Sequence, residues 1–122
     1  FRDGVLLQLT KDQTKVQQLY DMGLISESQM YTHPEKNIIS GYVGCDEFDS
    51  KWIDVITHRE KFRKKDLLML CSDGVSDYIS IDEVEDVLIT DNELSIKADI
   101  ILDKIYSNGA GDNISLILVN RL

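Results

Sequence analysis

Positive charge is scarce in this sequence. Thirteen Lys and Arg stand against 22 Asp and Glu, a formal net charge of −9. Nucleic acid is therefore not an expected partner, since neutralising phosphates takes a basic face. Anionic membrane surfaces are not expected partners for the same reason. Proline occurs once and glycine seven times, which argues against a low-complexity or linker-like chain. Cysteine is limited to Cys45 and Cys71, far apart and without a CxxC pair. That excludes a disulfide framework and suggests a reducing, cytoplasmic setting, with Cys71 as a reduced core residue. No apolar run approaches the ~20 residues that span a bilayer, and the first residues do not resemble a signal peptide. Phe1 is not an initiator Met, so the chain reads as a piece of something longer.

With 43% hydrophobic residues over 122 positions, there is enough apolar material for the core of one small domain. No internal repeat appears, and residues 1–122 are expected to form one continuous unit. Asp3-Gly4 reads as a tight hairpin turn with Val5 to Leu9 as the returning strand. Thr10-Lys11-Asp12-Gln13 has the form of a capping box, followed by Val16, Leu19 and Tyr20 at helical spacing, with Gly23 placed to end the helix. Ser26-Glu27-Ser28-Gln29 predicts a short second helix ending before Pro34.

Asn37 to Val43 predicts a weak strand, and Trp52 to His58 alternates as a strand should. Arg59 to Lys65 is the sole basic cluster and is expected to be a solvated turn. Leu67 to Cys71 is nearly all apolar and is expected to be a strand covered on both faces. Ser80-Ile81-Asp82-Glu83 is another capping box, leading a helix whose apolar stripe is Val84, Val87 and Leu88. A longer helix is expected from about Glu93 to Ser107, buried through Leu94, Ala98, Ile101, Leu102 and Ile105 and closed by Asn108-Gly109. Ile114 to Val119 is the final strand. Two helices between two strands that share one core give an α+β reading, with sheet edges left for partners.

Two acidic corners carry the chemistry. Asp73-Gly74 ends the strand at 67–71, and Asp112-Asn113 precedes the strand at 114–119. Either corner alone reads as a plain turn. Together they place two carboxylates at the ends of packed strands, where they could converge on a hard divalent cation such as Mg²⁺ or Mn²⁺. Such ions can activate water and clamp a phosphoryl group. Asp77 is a candidate secondary acidic ligand, with an N-cap as its structural reading. His33, before Pro34, reads as a capping or packing residue, and His58 as structural or exposed. No P-loop, GxSxG, HExxH or EF-hand pattern is present.

These residues carry a family resemblance. Leu70-Cys71-Ser72-Asp73-Gly74-Val75-Ser76-Asp77 resembles the LxSDGLxD signature of the metal-dependent protein serine/threonine phosphatases, the type-2C family. Gly111-Asp112-Asn113-Ile114-Ser115 is similar to its closing DNIT or DNIS motif. Leu9-Thr10-Lys11-Asp12-Gln13-Thr14 resembles LTxDHS, with Gln13 where His is usual. Thr32-His33-Pro34-Glu35-Lys36-Asn37 resembles the HPxxN segment of the bacterial branch. The motifs follow family order and cover essentially the whole chain.

The resemblance implies the C-terminal portion of an αββα sandwich, antiparallel sheets flanked by helices, with a flap-like segment at about 24–45. It implies two or three Mn²⁺ or Mg²⁺ ions in the intact domain, with Asp73 a shared ligand and Asp112 a ligand of one core ion. His33 and Asn37 would lie near the flap and the substrate path. The acidic RxxNED-type segment, the DGxGGH turn and the GDSR strand are missing, and Gly41 stands where the family's LTRALG has Arg. The expected function is hydrolysis of phosphoserine and phosphothreonine in proteins by the intact parent, through metal-activated water. The fragment alone is expected to be inactive. The alternative is a non-catalytic, pseudophosphatase-like binding module. Expected partners are phosphorylated proteins, and either the missing N-terminal half or another copy of the chain.

Overall fold

The computed structural model describes residues 1–42 and 61–121. The strand expected at 52–58, with His58, and the residues Cys45 and Arg59 lie outside the described residues. Two compact units emerge, one of residues 1–7 with those from 61 on, the other of the described residues from 8 to 42.

The first unit is built on a two-stranded antiparallel sheet. Its strands are β1 (Leu67–Cys71) and β2 (Leu116–Asn120), in the register Leu67↔Asn120, Met69↔Leu118 and Cys71↔Leu116. Between them in sequence run α3 (Asp73–Ser76), α4 (Ile81–Leu88) and α5 (Leu94–Ser107). The capping box at Ser80 forms as the sequence predicts. The Ser80 Oγ accepts from the Glu83 N–H at 3.3 Å, and the Glu83 carboxylate accepts from the Ser80 N–H at 3.0 Å. The apolar stripe of Val84, Val87 and Leu88 is buried against Ile101 and Ile105 of α5, with Val75 and Ile79 completing the core.

Helix α5 ends as its Asn-Gly pair requires. Gly109 has φ +82°, its N–H bonds the Tyr106 carbonyl, and the Ala110 N–H reaches back to the Ile105 carbonyl at 3.3 Å. This is a Schellman closure, and it uses the left-handed conformation that glycine adopts without penalty. Lys97, expected on no buried face, is buried, and its ammonium donates to the Leu88 carbonyl at 2.7 Å. It thereby satisfies a carbonyl at the C-terminal end of α4.

The expectation that β1 is covered on both faces is not met. Leu67 and Met69 pack on the core, as do Leu116 and Leu118 of β2. Leu68, Leu70, Ile117 and Val119 are exposed. The period-2 alternation of a strand sends every second side chain to the opposite face, and the helices of this unit cover one face only. Cys71 is exposed for the same reason, not buried as its apolar setting suggested.

At the chain start, Asp3 (φ +52°) and Gly4 (φ +89°) form the expected tight turn, closed by reciprocal bonds between Arg2 and Val5. The returning strand does not form beyond that bridge, because residues 6–9 have no strand beside them among the described residues. The Arg2 guanidinium makes a bidentate pair with buried Asp66, at 2.9 and 2.8 Å.

In the second unit, α1 (Lys15–Asp21) and α2 (Glu27–Thr32) are joined by a Schellman turn at Gly23 (φ +71°). The Gly23 N–H bonds Tyr20 and the Leu24 N–H bonds Leu19. The start of α1 differs from expectation: Thr14, not Thr10, is the N-cap, its hydroxyl accepting from the Gln17 N–H at 3.3 Å. Residues 38–40 run beside the start of α1, through Lys15 N–H to the Ile38 carbonyl and Ser40 N–H to the Gln13 carbonyl. That contact holds residue 14 extended, so the helix begins after it. The weak strand expected from Asn37 is reduced, in its described part, to the single bridge Thr14↔Ile39. Helix α2 begins as predicted, with the Gln29 side-chain carbonyl accepting from the Ser26 N–H at 2.7 Å.

Candidate metal centre

Strand β1 runs apolar to Cys71 and then meets Ser72, whose backbone is extended (ψ 169°) and which caps α3. Asp73 is thus the first residue of a one-turn helix. Its Oδ1 accepts from the N–H of Gly74 at 2.9 Å. At the other corner, Asp112 Oδ1 accepts from the N–H of Asn113 at 2.7 Å, a matching local bond. Both carboxylates are exposed, and each keeps its second oxygen clear of that bond.

The corners are stitched together through three contacts of Ser72. Its N–H donates to the Ser115 carbonyl at 3.0 Å. Its hydroxyl donates to the Asn113 carbonyl at 3.3 Å and accepts from the Ser115 N–H at 3.1 Å. One serine therefore extends the β1–β2 ladder past its last regular pair and fixes residues 113–115 against the start of α3. Gly74 makes that approach sterically feasible. It is buried, and a Cβ at its position would lie 2.2 Å from the Asn113 carbonyl oxygen. The sequence reading singled out Asp73 and Asp112 but missed Ser72 and the closeness of Gly74 to Asn113. The signal was present in the Ser-Asp-Gly triplet, yet only the antiparallel pairing of two distant strands shows what the serine reaches.

Oxygen donors on two corners held by packed strands suit a hard cation such as Mn²⁺ or Mg²⁺, which favours carboxylates and retains water in its shell. Among the described residues, no group of three or more His, Cys, Asp and Glu side chains gathers at one point. The other expected residues lie apart in role. Asp77 is the C-cap of α3, its N–H donating to the Asp73 carbonyl at 2.9 Å, so it is not an N-cap; Ser80 takes that place for α4. His33 is the C-cap of α2 by position, and its Nδ1 accepts from the Glu35 N–H at 3.1 Å, a bond that fixes the turn after the helix. Asn37 is exposed in the turn that follows.

No protein-family model matches the sequence. Similarity to individual proteins is extensive. The chain is 38% identical over 120 residues to the serine/threonine phosphatase stp of Listeria welshimeri, covering 98% of this chain and 46% of that protein. It is 32% identical over 119 residues to the serine/threonine protein phosphatase PstP of Mycobacterium tuberculosis, covering 98% and 22%. The crystal structure of the latter's phosphatase superposes with a TM-score of 0.80 at 31% identity, over 98% of this chain and 48% of that one. A further structure of the PstP catalytic domain, in complex with two manganese ions, gives 0.74 at 30% identity over 98% and 46%. The chain thus spans under half the length of these relatives. Fold class is α+β, and no helix among the described residues is long and apolar enough to cross a membrane. By sequence and by fold, the chain is similar over nearly its whole length to bacterial serine/threonine protein phosphatases, of which it matches the C-terminal part.

Proposed function

We propose that the full-length protein hydrolyses phosphoserine and phosphothreonine esters in other proteins, with Mn²⁺ or Mg²⁺, and that this chain supplies Asp73 and Asp112 as metal ligands. The observation that carries the reading is the Ser72 stitch, which ties the two carboxylate corners into one rigid end of the sheet. When bound, the metal supplies a water acidic enough to act as nucleophile near neutral pH. The residues of this chain do the positioning. Asp73 and Asp112 each spend one oxygen on the neighbouring N–H, which orients the other outward. Ser72 and Gly74 hold the corners in register. By the family resemblance, His33 and Asn37 are the proposed substrate-side residues and Asp77 a proposed secondary acidic group. A cytoplasmic setting fits the exposed thiol of Cys71.

The isolated chain is proposed to be inactive, since two carboxylates are fewer than a phosphoryl-transfer metal pair ordinarily takes. A second reading, a non-catalytic docking half, draws on the uncovered apolar face of Leu68, Leu70, Ile117 and Val119. Manganese-dependent dephosphorylation of a phosphothreonine peptide decides between them. Turnover by the full-length protein and none by residues 1–122 alone is expected. No turnover by the full-length protein at any Mn²⁺ concentration would favour the docking module.

A further inference from the structure

Away from the acidic corners, α1 and α2 enclose a cleft of about 160 Å³. Glu27, Met30 and Tyr31 stand at helical spacings of three and four along α2, so they share one face. Gln17 and Tyr20 of α1, with Gln8 and Asp12 ahead of it, complete the lining. The volume is well below the ~300–1,000 Å³ of cofactor and drug-sized sites, and suits a single side chain.

The charge arrangement selects which side chain. Lys11 is paired with Asp21 at 2.7 Å, and Lys15 with Glu35 at 2.6 Å. Gln17, also on the lining, donates its amide to Asp21. The nearby cations and the Gln17 amide are thus committed to other carboxylates. Among the described residues, neither Asp12 nor Glu27 has a cation or hydrogen-bond donor on its side chain, and the hydroxyls of Tyr20 and Tyr31 have no partner either. Glu27, at the first position of α2, also suits the positive end of that helix, but Asp12 has no such structural use. Tyr20 and Tyr31 are large, exposed rings beside these two negative charges. Aromatic faces and carboxylates around a one-side-chain cavity make a receptor for a planar cation, which stacks on a ring while its N–H groups meet carboxylate oxygens.

We propose that this cleft binds an arginine side chain of a docked polypeptide. The ligand needs no phosphate, so the inference stands apart from the phosphatase reading. The test uses the isotope-labelled full-length protein and two unphosphorylated peptides, acetyl-Gly-Arg-Gly-amide and its citrulline counterpart, which has the same shape without the charge. Titration with the arginine peptide is expected to shift the Tyr20, Tyr31 and Glu27 resonances with saturation, and the citrulline peptide to shift them little. Glu27 and Tyr31 are exposed within the open cleft, so Glu27→Gln and Tyr31→Leu leave the core intact, and each is expected to weaken binding about two- to fivefold. Turnover of p-nitrophenyl phosphate, which carries no arginine, is expected to stay unchanged in both. Equal shifts with the two peptides, shifts confined to other residues, or wild-type affinity in both variants would overturn the proposal. Loss of p-nitrophenyl phosphate turnover alongside peptide binding would also overturn it, because the cleft would then serve the reacting site.

Discussion

The carbonyl oxygen of Asn113 lies where a side chain on Gly74 would have to go. A Cβ there would stand 2.2 Å from that oxygen and 3.0 Å from the Asn113 carbonyl carbon. Both are backbone atoms, so no side-chain rotation can make room. The consequence is that residue 74 sets how closely the β1 end approaches the Asp112 corner, and hence how far apart the two carboxylates sit.

Gly74→Ala is therefore expected to be costly although alanine is the better helix former. Overpacking of this kind costs about 1–3 kcal/mol when the backbone can shift, and more when it cannot. Gly111→Ala, by contrast, would meet only the Tyr78 hydroxyl at 3.7 Å, an ordinary contact. It should change stability by less than about 0.5 kcal/mol. Urea melts of the two full-length variants, with Mn²⁺ affinity by calorimetry, separate the positions. Equal melts would mean that the Gly74 approach has no energetic weight.

Asp73→Asn and Asp112→Asn test the ligand assignment without disturbing the corners. An amide oxygen can still accept the local N–H bond that each aspartate accepts now, from Gly74 and Asn113. Stability should barely move, because both side chains are exposed. Turnover of the full-length protein should fall by at least about a hundredfold, as expected when a metal site loses charge and affinity. Either variant with wild-type turnover at subsaturating Mn²⁺ removes that residue from the metal site.

How much of this was legible in the sequence differs by element, and the differences have physical causes. The capping box at Ser80 and the Asn-Gly stop at 108–109 are local, and both formed as read. The stripe of Val84, Val87 and Leu88 needs only helical periodicity, and all three are buried. Thr10 shows the limit of local reading: its box pattern is sound, but residues 38–40 bond to the backbone of residues 13 and 15 and delay the helix to Thr14. Cys71 and the outward leucines of β1 show another limit. An apolar run reveals that a strand can be covered on both faces, not which elements are present to cover it. The acidic corners were found as motifs, while Ser72, which joins them, depends on a pairing between residues over 40 positions apart.

The Arg2–Asp66 pair predicts how stability responds to acid. Asp66 is held well below the usual carboxylate range, first by the Arg2 guanidinium and then by the Arg63 N–H at 2.6 Å. Because its folded pKa is depressed, the stabilisation is present above the unfolded value of about 3.9 and is lost as pH falls below it toward the folded pKa. Wild type should therefore lose stability on going from pH 5 to pH 3 more steeply than Asp66→Asn. At pH 7, Arg2→Leu should destabilise by leaving a buried carboxylate without its cation. Chemical melts across that range provide the check, and parallel pH curves for wild type and Asp66→Asn would refute it.

Lys97 offers a test of a buried cation used as a cap. Its ammonium reaches the Leu88 carbonyl while its stem fills space between α4 and α5. Lys97→Met keeps most of the stem but leaves that carbonyl unsatisfied, a change worth about 1–3 kcal/mol. Thermal melts of wild type, Lys97→Met and Lys97→Ala should rank in that order. A methionine variant as stable as wild type would show that water satisfies the carbonyl equally well.

The outward face of the sheet predicts the behaviour of residues 1–122 in isolation. Leu68 opposes Val119 and Leu70 opposes Ile117 in the register, so four apolar side chains form one contiguous patch. Leu70 and Ile117 are more than half exposed, at 53% and 56%. A two-stranded sheet with one face wet is marginal by itself. Association with a second copy or with an added partner chain removes that liability. The isolated chain should therefore sediment as a dimer or larger species at micromolar concentration. Leu70→Lys with Ile117→Glu, a pair directly across the strands, should return it toward monomer without unfolding it, since neither side chain touches the core. Analytical ultracentrifugation with circular dichroism reads both effects. A wild-type chain that is monomeric and melts cooperatively would show that α4 and α5, packed on one face, stabilise the sheet sufficiently by themselves.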